Sequence, residues 1–185
     1  DIFKVDRSLL ETERLIAKAD EILANPGANA FDKSSAAYLA GTAWQSKETS
    51  GFENAIKYYK LAIDNNGLHN NNHYRAMLQL AQLQDADEKH ADALATIDRF
   101  LTETKSEDET ALKIKTQILL GMDKPADAAA LLEKAAEKNP GDKKTMMRFA
   151  GDQALAIGAH DMPLRAEVEA LLNRYHARGR ARTKR

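Results

Sequence analysis

Three stretches of this chain superimpose: Ala55-Ile56-Lys57-Tyr58-Tyr59-Lys60-Leu61-Ala62, Ala93-Leu94-Ala95-Thr96-Ile97-Asp98-Arg99-Phe100 and Ala128-Ala129-Ala130-Leu131-Leu132-Glu133-Lys134-Ala135. In each, a small residue is followed four positions on by a bulky one and three further by another apolar residue: Ala55/Tyr59/Ala62, Ala93/Ile97/Phe100, Ala128/Leu132/Ala135. Those offsets place all three on one face of a helix, where the small residue admits a close crossing and the bulky ones fill the space around it. The copies lie 38 and 35 residues apart. Such a period belongs to a repeated helical hairpin of about 34 residues with small loop insertions.

Punctuation between the copies supports hairpins. Apolar residues recur at helical spacing nearly everywhere, and strand-like alternation is hard to find for more than about four residues, so the reading is all-α. Asp6 is expected to cap a first helix over 6–25, carrying Leu9, Leu10, Ile16, Ala19, Ile22 and Leu23 and stopped by Asn25-Pro26-Gly27. Hairpins follow at about 32–66, 71–103, 106–139 and 143–177. The first opens at Asp32-Lys33-Ser34, turns near Ser50-Gly51 and ends at Asn65-Asn66-Gly67, where Asn and Gly tolerate the left-handed conformation of a helix stop. The third opens with a capping box, Ser106 to Glu109, turns at Met122-Asp123-Lys124, restarts at Pro125 and stops at Asn139-Pro140-Gly141. Short connections make successive helices antiparallel neighbours. Residues 1–177 are therefore expected to form one helical-repeat domain, and the basic stretch 178–185 a disordered tail.

Composition narrows the chemistry. The chain has no cysteine, which excludes disulfides, thiolate catalysis and cysteine-ligated metal sites. That absence suits a bacterial periplasm or envelope slightly better than a cytoplasm. A start at Asp1, without Met, is what removal of a signal peptide or a longer N-terminal part would leave. No apolar run approaches the ~20 residues needed to span a bilayer. The formal net charge of −1 is unevenly spread: six basic and no acidic residues lie from Arg174 onward, leaving 21 basic against 28 acidic before it. An acidic body thus carries a basic tail, for which contact with nucleic acid or anionic lipid is one use.

Gly51-Phe52-Glu53-Asn54-Ala55-Ile56-Lys57-Tyr58-Tyr59-Lys60-Leu61-Ala62-Ile63-Asp64 closely resembles the turn and second helix of the tetratricopeptide repeat family, bacterial type. The next unit is similar through Met77, Leu80, Ala81 and Ala93, and the one after through Leu112, Ala128, Leu132, Ala135 and Pro140. Three departures stand out: Lys115 at a usually apolar place, Phe100 for a usual Ala, and two extra residues around Lys47 to Ser50. The resemblance implies a right-handed αα superhelix whose first helices line a concave groove. Tyr74, Arg75, Leu78, Gln82, Lys113, Gln117, Lys144, Met147 and Arg148 are the residues it places there. Lys113, Gln117, Lys144 and Arg148 are partly similar to the basic and amide residues with which some members clamp a carboxylate-ended peptide.

No catalytic constellation is present: no Gly-rich phosphate loop, no Gly-x-Ser-x-Gly elbow, no His-Glu-x-x-His. His69 and His73 are spaced to share a helix face, yet two ligands do not complete a zinc site, and the three Asn between them favour a cap that leaves His69 outside the helix. Asp85, Asp87 and Glu88 lack the Gly and bidentate Glu of a calcium loop and read as a solvated turn. If Tyr59 is a core wedge, Tyr58, about 100° round the helix, is expected to be partly exposed. The functional expectation is a non-enzymatic scaffold, without cofactor or small-molecule substrate, that holds a peptide or protein partner. A self-associating module is the alternative, since no helix precedes the first to cover Leu9, Ile16 and Leu23; an adaptor working through its basic tail is a further one.

Overall fold

The computed structural model describes residues 2–105 and 108–138. The expected hairpin over 143–177, the tail 178–185, Ser106, and the Asn139-Pro140-Gly141 stop lie outside these. Seven α-helices and one 3₁₀ turn, with no strand, make up the described residues: α1 Ile2–Ala24, α2 Ala30–Gln45, a 3₁₀ turn Glu48–Gly51, α3 Phe52–Asp64, α4 Asn70–Ala86, α5 His90–Thr104, α6 Glu109–Gly121 and α7 Pro125–Lys138. The chain divides into two compact units, 1–104 and 105–185. In the first, each helix packs on the next from α1 to α5; in the second, α6 packs on α7.

Several helix starts differ from expectation for local reasons. α1 begins at Ile2, so Asp6 lies inside it. α2 is capped by Asn29, whose side chain accepts from the Asp32 N–H at 2.9 Å, which leaves Asp32 in the first turn against the positive helix end. Ser34 is then not needed as a cap. It is fully buried, and its Oγ accepts from the Gly67 N–H at 2.8 Å, which ties the α3–α4 turn onto α2. At α6 the cap is Asp108, accepting from the Ala111 N–H at 2.9 Å, and Glu109 is the first residue of the helix.

Helix stops repeat with the period. Asn66 at the end of α3 is left-handed, with φ 50°. After α4 and α6 the same turn recurs: Glu88 (φ 59°) and Asp123 (φ 56°) are left-handed, and the next residue donates back across the turn, Lys89 N–H to Gln84 O and Lys124 N–H to Leu119 O, each at 2.8 Å. The two extra residues of the first hairpin form the 3₁₀ turn. There a Cβ on Gly51 would stand 1.9 Å from the Trp44 carbonyl oxygen, so only glycine allows this return.

The core is built by the repeated motif. Ala55, Tyr59 and Ala62 on α3, Ala93, Ile97 and Phe100 on α5, and Ala128, Leu132 and Ala135 on α7 are all buried. Facing them on the first helices, Gly41, Ala81 and Thr116 recur at one repeat position and are buried too. Gly41 lies so close to the Tyr59 ring that a Cβ would meet it at 3.2 Å. Phe100, the departure from the usual Ala, is 4% exposed and edge-on to Tyr74, with ring centroids 5.8 Å apart.

Tyr58 corrects the expectation of partial exposure: it is only 6% exposed. α1 accounts for the difference, since Ala19 on α1 and Ala36 and Ala40 on α2 close over the ring and its hydroxyl donates to Asp20 on α1. α1 packs along α2 on one side. Ile16 is buried, and Ile22 and Leu23 pack against the core that α2 and α3 share. Leu10 and Leu15 are the residues left 53% and 39% exposed.

The Tyr58–Asp20 bond has a measurable signature. Burial first, then the hydrogen bond and charge of Asp20, push the Tyr58 hydroxyl from its ordinary 10.0 up to about 12. A folded-state value above the unfolded one means the stabilisation is whole below about pH 10 and is lost as pH rises through about 12. Tyrosinate absorbance is expected to show a late step near pH 12 that Tyr58→Phe removes; a Tyr58 ionising with exposed tyrosines would contradict the packing of α1.

Candidate partner-binding face

α2 and α4 are the first helices of the two complete hairpins in the first unit. α4 turns His73, Ala76, Met77, Leu80, Ala81, Leu83 and Gln84 inward. The opposite side carries Arg75 and Gln82, both exposed, with Leu78 half-buried between them at helical spacing. On α2 the equivalent positions are Ser35, Tyr38 and Thr42. Tyr74 is half-buried and committed to packing, its ring edge-on to both Phe100 and His73, at 5.8 and 5.7 Å.

A hydrogen-bonded chain crosses this face. The fully buried Tyr59 donates from its hydroxyl to Gln45 Oε1 at 2.8 Å, and Gln45 Nε2 donates to Gln79 Oε1 at 2.9 Å, which links α3, α2 and α4. The bond from Tyr59 sets how the Gln45 amide is turned, and Gln45 in turn orients Gln79. Gln79 shares α4 with Arg75, Leu78 and Gln82, so this helix carries an amide with its oxygen already engaged, a cation and a half-buried apolar side chain. Sequence reasoning missed Gln45 and Gln79. Their signal is an amide on each of two successive first helices, legible only once the pairing of those helices is known.

In the second unit, Lys113 is half-buried and Gln117 exposed, one turn apart on α6. Lys115, the other departure from the usual pattern, is half-buried. Lys144, Met147 and Arg148 lie outside the described residues.

Other polar groups are engaged in structure. His69 caps α4 from outside the helix and its ring meets Phe31 at 5.7 Å. His73 is buried with Nε2 3.6 Å from Glu103 Oε2. The acidic turn is engaged locally: a His90 ring nitrogen lies 2.8 Å from Asp85 Oδ1, and Lys89 pairs with Asp87 at 2.6 Å. A cleft of about 230 Å³ opens between α3 and the α4–α5 hairpin, but its floor residues Ile63, Met77 and Leu80 are already 1–4% exposed and its rim cations are paired, Lys60 with Asp92 and Arg99 with Glu103. No group of three or more His, Asp or Glu suited to a metal occurs among the described residues. No helix there is long and apolar enough to cross a membrane.

Successive antiparallel helices, a small-residue crossing repeated at a fixed period and recurrent hairpin turns define an all-α, tetratricopeptide-like helical-repeat fold. A solved structure agrees: a variant of the nearly identical TPR-like repeats from a candidate kinesin light chain of Podosopora anserina is similar, with a TM-score of 0.62 over 94% of this chain and 89% of that one. Identity is 12%, and the likeness concerns the fold alone. No protein-family model matches the sequence, and no curated protein matches it. Folds of this kind generally serve protein–protein interaction and are typically non-catalytic.

Proposed function

We propose that this chain is a non-catalytic interaction scaffold that holds a peptide or protein segment along the outward faces of its first helices, as a bacterial-type tetratricopeptide protein does. The supporting observation is the division of labour on α4. One side is sealed into the core, while on the other Arg75 and Gln82 are exposed and Leu78 is half-buried, on the helix whose Gln79 is held by Gln45. A cation, an amide and an apolar patch are the elements that bind an extended segment: apolar contact supplies affinity, and hydrogen bonds to carbonyls or a carboxylate supply direction. Lys113 and Gln117 on α6 carry a similar cation and amide in the second unit, and the other expected residues, Lys144, Met147 and Arg148, lie outside the described residues.

Photo-reactive side chains at positions 75 and 82 are expected to cross-link one and the same partner from a native extract, and one at Glu53, exposed at the start of α3, none. Arg75→Glu combined with Gln82→Glu, both at exposed positions of α4, is expected to lower that capture about tenfold or more without moving the unfolding midpoint, since added negative charge acts on encounter and pairing. Undiminished capture by the double variant would overturn the reading.

A further inference from the structure

Matching turns bring the start of the chain into the repeat. Asn25-Pro26-Gly27 aligns with Asn65-Asn66-Gly67, and the same shift places Asn29 on His69, the caps of α2 and α4, and Gly41 on Ala81. α1 then corresponds to α3, a second helix. Ile16 falls on Ile56 and Leu23 on Ile63, while Leu15 and Ile22 fall on Ala55 and Ala62. In α3 the last two are 0% exposed, and α3 has a helix packed on either side, α2 and α4. In α1 the corresponding Leu15 is 39% exposed and Ile22 half-buried, and α2 is the neighbour that packs on α1. α2 tells the same story. Gln79 of α4 is reached by Gln45 from the preceding first helix, and its counterpart Leu39 is 52% exposed. Leu15 on α1 and Leu39 on α2 are thus exposed apolar side chains on the two packed helices, a strip that a further helix antiparallel to α1 would cover.

We infer that α1 of a second copy of the chain covers this strip, so that two copies bury each other's Leu15 and Leu39 about a two-fold axis. The charges on α1 fit that occupant. Glu11, Leu15, Lys18 and Ile22 follow one another at helical spacing along the open flank, and Glu11 and Lys18 are exposed. In an antiparallel pair of identical helices centred beside Leu15, Glu11 of each copy stands opposite Lys18 of the other, and the leucines meet between them. This is the self-complementary arrangement that an isologous contact requires. Lys18 is held meanwhile only by an exposed pair with Glu21, at 2.6 Å, which is readily exchanged.

The inference is tested by the association of the full chain, followed by sedimentation equilibrium and light scattering across a concentration series. The parent chain is expected to pass from monomer to dimer. Leu15→Glu, at an exposed position, is expected to weaken dimerisation about tenfold or more while leaving helicity and the unfolding midpoint intact. Leu39→Glu is expected to act in the same direction. Glu11→Lys or Lys18→Glu alone sets like charges opposite each other and weakens the dimer, whereas the double exchange restores it. A strict monomer at every concentration, or a double exchange no better than its single components, would overturn the inference.

Discussion

Tyr59→Ala is expected to destabilise the first unit by about 3–5 kcal/mol, the usual cost of removing a fully buried aromatic ring. Tyr59 is 1% exposed, lies against the Cβ-less Gly41 of α2 and meets Tyr38 edge-on at 5.8 Å. Gly41 opposite has no side chain to fill the space, and Tyr38, edge-on to the ring, is held on a rigid helix. Native domains are stable by about 5–15 kcal/mol, so the loss is a large share of the total. Tyr59→Phe is the informative control. It keeps the ring and removes the bond to Gln45, leaving that amide oxygen without its donor, at a cost of about 1 kcal/mol. Urea unfolding followed through Trp44, the single tryptophan and a member of the same unit, measures both. A Tyr59→Ala variant within about 1 kcal/mol of the parent would refute the α2–α3 crossing described above.

Gly67→Ala is expected to cost about 3 kcal/mol, for a backbone reason and not a side-chain one. A Cβ at this position would stand 2.1 Å from the carbonyl oxygen of Ala30 and 2.4 Å from the amide nitrogen of Phe31, and neither can withdraw without moving the start of α2. The same displacement pulls the Gly67 N–H off Ser34, which then has no other partner for its buried hydroxyl oxygen. Gly27, in the matching turn after α1, provides the contrast: a Cβ there meets only the side chain of Asn25, at 3.3 Å, and Gly27→Ala is expected to be nearly silent. Equal effects at the two glycines in the same urea experiment would show that the α3–α4 turn is not seated on α2.

Particular residues show how much of this was legible beforehand. Ala55, Tyr59 and Ala62 announce a buried helix face through spacing alone, and Asn65-Asn66-Gly67 and Met122-Asp123-Lys124 announce turns, because periodicity and turn chemistry act over a few neighbouring residues. Helix caps were less legible: Asn29 and Asp108 compete with Asp32 and Ser106 within three residues, and only the path of the chain into the helix chooses between them. Of the candidate face, Arg75 and Gln82 are exposed and Leu78 half-buried on α4, and the half-buried Tyr74 ring meets Phe100 of α5 edge-on, a contact that spacing along one helix does not announce.

Sequence by itself therefore determined the class of architecture: all-helical, hairpin-repeated, with small residues at each close crossing. Those features are encoded by residues three and four apart. Which surfaces remain for a partner was decided by tertiary structure. α1 buried Tyr58 and took Asp20 as its acceptor, Gln45 and Gln79 met across two helices, and Leu15 and Leu39 were left open. Each of these depends on which helix lies over which, a relation between residues far apart in the chain that no local pattern carries.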